Sequence, residues 1–337
     1  HPIFALAIGV LVGGVAQVVF QIPALKNAGL LVKPSFNFKH KGLVQVLRLT
    51  LPMIFGAAAY QLQIVLSFNF ASNLGHGAVT YIQFANRLLE LPLAVLVMAI
   101  STAALPSLSA LRGQNRTGEM KRTYGHALRL ALFVATPAMV GLIVLSEPVI
   151  AVLYQRGLFS HGDALQTASA LRWLAAGTCS IALVRQTVPV FYAMEQTVVP
   201  VIMSVVSIAV FVVSALLLRE PFGHTGICMA LSLAATAQGL GLVMVLRKRL
   251  GRLEIGQTVR SFLRTLFASL LMAPVAYFVA TFGAWEQGGN SLPNISFLLL
   301  AVVCGVTVFA LTVWVLGSPE LPELARAFGR RRRKRTV

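Results

Sequence analysis

The chain has 337 residues, 57% of them hydrophobic and only 11% charged, with a mean hydropathy of +0.80. A soluble domain carries about 25% charged residues, so this composition excludes an ordinary water-soluble enzyme or binding module. The formal charge of +18 raises the question of nucleic acid, but the way that charge is spread along the chain answers it differently.

Apolar runs of about 20 residues fit helices crossing a ~30 Å hydrocarbon core, and they are too long for the strands of a membrane barrel. The sequence predicts an all-α, polytopic membrane helix bundle of about nine spans, near 3–20, 51–71, 77–105, 127–146, 164–187, 197–218, 224–246, 262–283 and 295–317. Prolines 52, 92, 137, 189, 200 and 274 interrupt or border several of them and predict kinks. Two short stretches, 147–157 and 252–264, read as interfacial amphipathic segments. The first residue is His1 rather than Met, so the expectation is a fragment whose N-terminal part is missing.

Orientation follows from the connections. The first, third and seventh connections and the C-terminal tail hold 23 of the 28 basic residues. Basic loops stay cytoplasmic, which predicts a cytoplasmic C-terminus and outer loops near 73–77 and 286–292. The run Arg330–Arg335 would be drawn to anionic lipid. No nucleic-acid partner is expected, because that run has no domain attached. Cys179, Cys228 and Cys304 lie far apart in apolar runs and imply neither a disulfide framework nor a metal site.

Four charges fall inside spans: Arg87, Glu90, Arg172 and Arg185. A charge near the bilayer centre costs roughly 2.5 to 3.5 kcal/mol on insertion scales, so it is rarely there without a task. Arg87 and Glu90 are three apart on one helical face, which predicts an ion pair between them. Pro92 cannot donate to the Leu88 carbonyl and predicts a weak point, a hinge, beside that pair. Arg172 and Arg185 could line the same cationic cavity or snorkel to opposite interfaces. Guanidinium groups match phosphate oxygens, so the expectation is an anionic passenger, or carboxylates elsewhere in the missing part. No P-loop, His-Glu-x-x-His or Gly-x-Ser-x-Gly stands in the sequence. Neither an enzyme nor a cofactor is expected, and no metal site is.

The run Ala85-Asn86-Arg87-Leu88-Leu89-Glu90-Leu91-Pro92 resembles the Ala-Asp/Asn-Arg-Leu-x-Glu-x-Pro signature of MurJ/MviN-type lipid II flippases, of the multidrug/oligosaccharidyl-lipid/polysaccharide exporter superfamily. Gln21-Ile22-Pro23-Ala24-Leu25, Leu105-Pro106-Ser107-Leu108-Ser109, Gln155-Arg156-Gly157-Leu158-Phe159 with Asp163, and Phe191-Tyr192-Ala193-Met194 are similar in the same order. The resemblance implies the sixth to fourteenth helices of a fourteen-helix flippase. It makes residues 1–42 the last helix of the N-terminal lobe and the inter-lobe connection, and 43–250 the C-terminal six-helix lobe. Residues 251–317 would be the amphipathic segment and two helices forming a lipid-tail groove, and 318–337 the basic tail. It also implies alternating-access transport of lipid II, the undecaprenyl-pyrophosphate-linked disaccharide-peptide, across the inner membrane. Its partners would be lipid II, membrane lipids and the missing N-terminal helices. Arg87 would be the cavity arginine of the second lobe and Glu90 its neighbouring acid, with Asn86, Arg172 and Arg185 as further substrate-binding candidates. The alternatives are a flippase for another polyprenyl-linked polysaccharide and a cation-coupled multidrug exporter.

Overall fold

A computed structural model describes residues 2–27, 29, 41–114, 116–251, 253, 255–287 and 289–323. Expectations for the basic residues of 30–40, for Arg252 and for the tail beyond Glu323 lie outside the described residues. All the regular structure described is helical. Two compact units divide the chain, 1–48 and 49–337. In the first, α1 (Pro2–Asn27) is apolar around most of its circumference, with its side chains exposed.

Helix α2 (Lys41–Ser72) enters the larger unit at Leu49. The predicted span 77–105 is broken: α3 (Ala78–Pro92), a π-helical turn (Leu93–Val97) and α4 (Met98–Gly113), with a 41° bend. Proline explains the break. Pro92 has no N–H, the Leu93 N–H bonds Glu90 O and the Met98 N–H bonds Leu93 O, so the ladder slips from four residues to three and then five. Helix α5 (Thr117–Val144) is the central post. Short α6 (Ser146–Tyr154) buries Ile150 and Ala151 completely, so much of the expected interfacial face of 147–157 is bundle core.

The span predicted at 164–187 is also two helices, α7 (His161–Ala176) and α8 (Thr178–Ala193), bent by 45° at Gly177. A side chain at Gly177 would meet Ser232 Oγ at 2.8 Å and its Cα at 3.1 Å; glycine is what lets the two helices touch there.

Helix α9 (Val198–Leu250) has non-helical dihedrals at Gly223, φ 58° and ψ −136°. Ser207 Oγ donates to Ala234 O at 3.2 Å and Gln238 Nε2 to Ser204 Oγ at 3.1 Å. Those pairs straddle Gly223 almost symmetrically, so α9 is a helical hairpin of two antiparallel arms. The segment 252–264 is mostly not a separate amphipathic element: α10 runs unbroken from Ile255 to Ala280, and α11 follows (Leu292–Val315). Among the described residues five helices are long and apolar enough to cross a membrane, or seven if each bent pair is one span. Helix α9 is counted once there although it doubles back.

Contacts sort the connections into two ends. At one, Tyr81 meets Asp163, His224 meets Gln166 and Gln155 meets Glu286. At the other, His126 pairs with Glu323 at 3.3 Å, and Arg129 approaches both Gln257 and Glu320. Among the described residues the third and seventh connections and the segment 320–323 thus share the second end.

Candidate functional site

Between α2, α3, α4, α8 and α9 lies a cavity of about 880 Å³. Most of its wall is apolar. Tyr60 and Gln63 of α2, Asn86 of α3 and Gln238 of α9 supply neutral polar groups, and Glu90 and Arg185 are the charged residues among the described lining.

Those two form an ion pair. Arg185 Nη2 donates to both carboxylate oxygens of Glu90, at 2.9 and 2.8 Å. The pair is neither sealed nor free, with side-chain exposures of 21% for Arg185 and 36% for Glu90. The expected Arg87–Glu90 pair does not form. Helix α3 turns Ile82, Asn86, Leu89 and Glu90 toward the cavity. At about 100° per residue, Arg87 projects well off that direction. It is exposed, with no hydrogen bond or ion pair among the described residues. Glu90 instead reaches a guanidinium 95 residues further along the chain.

Among the described residues only Nη2 of Arg185 has a partner. Its Nε and Nη1 make no hydrogen bond among the described residues, so the guanidinium edge keeps donors for a second anion. Asn86, Glu90 and Arg185 are therefore brought together, whereas Arg87 and Arg172 lie off the cavity lining. Arg172 is exposed and its Nε donates to Ser146 Oγ at 2.7 Å, at the start of α6.

Two further residues hold the backbone here and carry no sequence signal beyond being polar within apolar runs. Gln186 Nε2 donates to Val97 O at 2.8 Å and Ser101 Oγ to Arg185 O at 2.9 Å. Both side chains are buried.

The sequence profile of the family described as lipid II flippase MurJ matches residues 1–316. The probable lipid II flippase MurJ of Haemophilus influenzae is 30% identical over 329 residues, covering 94% of this chain and 63% of that protein. The lipid II flippase MurJ of Burkholderia cenocepacia is 29% identical over 321 residues, covering 94% and 62%. A solved lipid II flippase MurJ in an inward closed conformation has a TM-score of 0.68 at 23% identity, over 86% of this chain and 58% of that one. An outward-facing MATE transporter of the MOP superfamily has 0.53 at 16%, over 80% and 64%. At such identities the structural likeness concerns the fold. The chain spans less than two thirds of the length of these relatives.

Proposed function

Since the chain belongs to the lipid II flippase MurJ family, we propose that it carries lipid II, an undecaprenyl-pyrophosphate-linked disaccharide-peptide, across the bacterial inner membrane by alternating access. The observation that carries this reading is the Glu90–Arg185 pair on the wall of an otherwise neutral cavity. A pyrophosphate is a stronger, bidentate acceptor for a guanidinium than a half-exposed carboxylate. It takes the free Nε and Nη1 edge of Arg185 first, and Glu90 is the ligand it displaces. Asn86 and the neutral polar groups around it suit saccharide hydroxyls. Arg87, exposed on α3, is a second anchor that a passenger reaches as it moves. Arg172, held by Ser146, has no part in this scheme.

An organic cation fits this cavity less well, because the carboxylate in its lining is already matched by Arg185. Transport of a whole lipid-linked sugar needs no bond to be made or broken; the Glu90–Arg185 pair has only to bind and release it. The basic end is proposed to face the cytoplasm, and the C-terminus with it.

Complementation of a strain depleted of its lipid II flippase, by the full-length protein, tests the reading. Arg185→Ala and Arg87→Ala are each expected to abolish growth at normal membrane levels, with Arg172→Ala tolerated. Because Arg87 has no partner to strand among the described residues, Arg87→Lys is expected to change stability by less than about 0.5 kcal/mol, while the loss of the planar fork abolishes transport. Wild-type growth from both alanine variants would refute the assignment of the site.

A further inference from the structure

Helix α8 meets the broken helix on both sides of its break. Before the bend, the Arg185 side chain holds Glu90. After it, Gln186 Nε2 donates to Val97 O, the last residue of the π-helical turn, at 2.8 Å. One helical turn further on, Ser101 Oγ returns a bond to Arg185 O at 2.9 Å. That carbonyl would ordinarily take the N–H of residue 189, but residue 189 is proline and the α-helical bond is missing. Gln186 is 3% exposed and Ser101 5%. Ser101 therefore supplies the bond that Pro189 denies the Arg185 carbonyl, and Gln186 ties the end of the π-helical turn to α8.

We infer that Gln186 and Ser101 are positioning residues that splint the Pro92 bend, and that they fix the angle at which α3 delivers Glu90 to Arg185. Helix α4 and α8 then behave as one body. Helix α3 is the arm that swings, held to that body on its cavity side by the ion pair. An anion that takes Arg185 from Glu90 releases the cavity side of the arm without disturbing the splint, while Tyr81 and Asp163 keep its first turn joined to α7. Only this last step rests on the transport reading; the splint itself does not.

The distance across the bend reports on it. Spin labels at two exposed positions, Gln83 on α3 and Ser109 on α4, would lie roughly 39 Å apart in a straight helix and closer in the bent one. In the full-length protein in lipid nanodiscs, the wild type is expected to give one narrow distance distribution. Ser101→Ala combined with Gln186→Leu is expected to broaden it at least twofold, and Ser101→Thr, which keeps the hydroxyl, to restore the narrow distribution at that position. Ser101→Ala alone, a one-atom deletion, serves if the double variant does not fold and is expected to broaden the distribution by a smaller factor. A folded variant whose distribution keeps its wild-type width overturns the inference, whatever lipid II does. Broadening in the variants upholds it. Lipid II added to the wild type is expected to lengthen the distance; a wild-type distance unmoved by lipid II, with the variants still broadened, leaves the splint standing and refutes the transport reading of the pair.

Discussion

Tyr81 Oη donates to Asp163 Oδ1 at 2.6 Å, tying the first turn of α3 to the first turn of α7. The other oxygen of the same carboxylate takes both the N–H and the O–H of Ser160, and the Asp163 N–H returns to Ser160 Oγ. One carboxylate thus closes the capping box of α7 and anchors a second helix. Removing the anchor alone, Tyr81→Phe, is expected to cost about 1 kcal/mol. Asp163→Ala loses anchor and cap together and is expected to cost about 2 to 3 kcal/mol. Thermal unfolding in detergent measures both. Equal shifts for the two variants would mean that the cap contributes nothing.

The Glu90–Arg185 pair separates stability from transport. It is partly exposed, so Glu90→Gln is expected to cost about 1 to 2 kcal/mol, less than the 3 to 5 typical of a fully buried broken pair. Replacing both charges, Arg185→Met with Glu90→Leu, is expected to return the unfolding temperature to near wild type, because no uncompensated charge remains. Growth of the depleted strain should stay abolished. A double variant that restores growth would reduce the pair to a structural role.

At the basic end, Glu320 is 3% exposed. Burial alone would raise its carboxyl, but hydrogen bonds from Ser261 and Ser318 and its own backbone, with Arg129 nearby, outweigh that and hold it below its ordinary value. A depressed carboxylate contributes stability above its unfolded value, near 4.3, and that contribution disappears as pH falls through the folded value. Glu320→Gln is expected to lose about 1 kcal/mol at neutral pH and to match wild type once both proteins are below that window. Unfolding temperatures from pH 7 down to pH 3 check this; a constant difference across the range would exclude the titration.

Orientation is open to direct labelling. In a variant with Cys179, Cys228 and Cys304 replaced, single cysteines at Asn73 and Asn290 are expected to react with an impermeant maleimide in intact cells. A cysteine at Gly118 is expected to react only after lysis. Reaction at residue 118 from outside would invert the topology.

Much of the architecture is legible in local signals. Span positions follow from run length, the α3 break from Pro92, and the segregation of the two ends from arginine and lysine in the connections. The cavity is legible only in part. Spacing along one helix points to Glu90, which lines the cavity, but pairs it with Arg87 instead of Arg185, because i, i+3 proximity cannot register a guanidinium that folding brings in from α8. Gly177 is hidden for a similar reason: its bend exists to admit Ser232, on another helix. Gln186 and Ser101 look like stray polar residues until the π-helical turn and Pro189 are seen beside them. In each case the missing information is tertiary, and it concerns which backbone groups a distant segment must satisfy.

The reversal of α9 at Gly223 bears on the order in which the protein assembles. Its two arms are joined by pairs only 27 and 34 residues apart, while Glu90 and Arg185 are separated by 95. Loop-closure entropy grows with the logarithm of that separation, which sets the two closures about 1 kcal/mol apart. The hairpin can therefore zip as soon as its second arm has been synthesised, without waiting for any other helix. The ion pair, by contrast, has to be found by two segments already embedded in lipid. One wall of the cavity is prefabricated and the opposite wall is fitted to it, so substitutions along the arms should alter yield during biogenesis, whereas substitutions at the pair should alter a protein that has already been made.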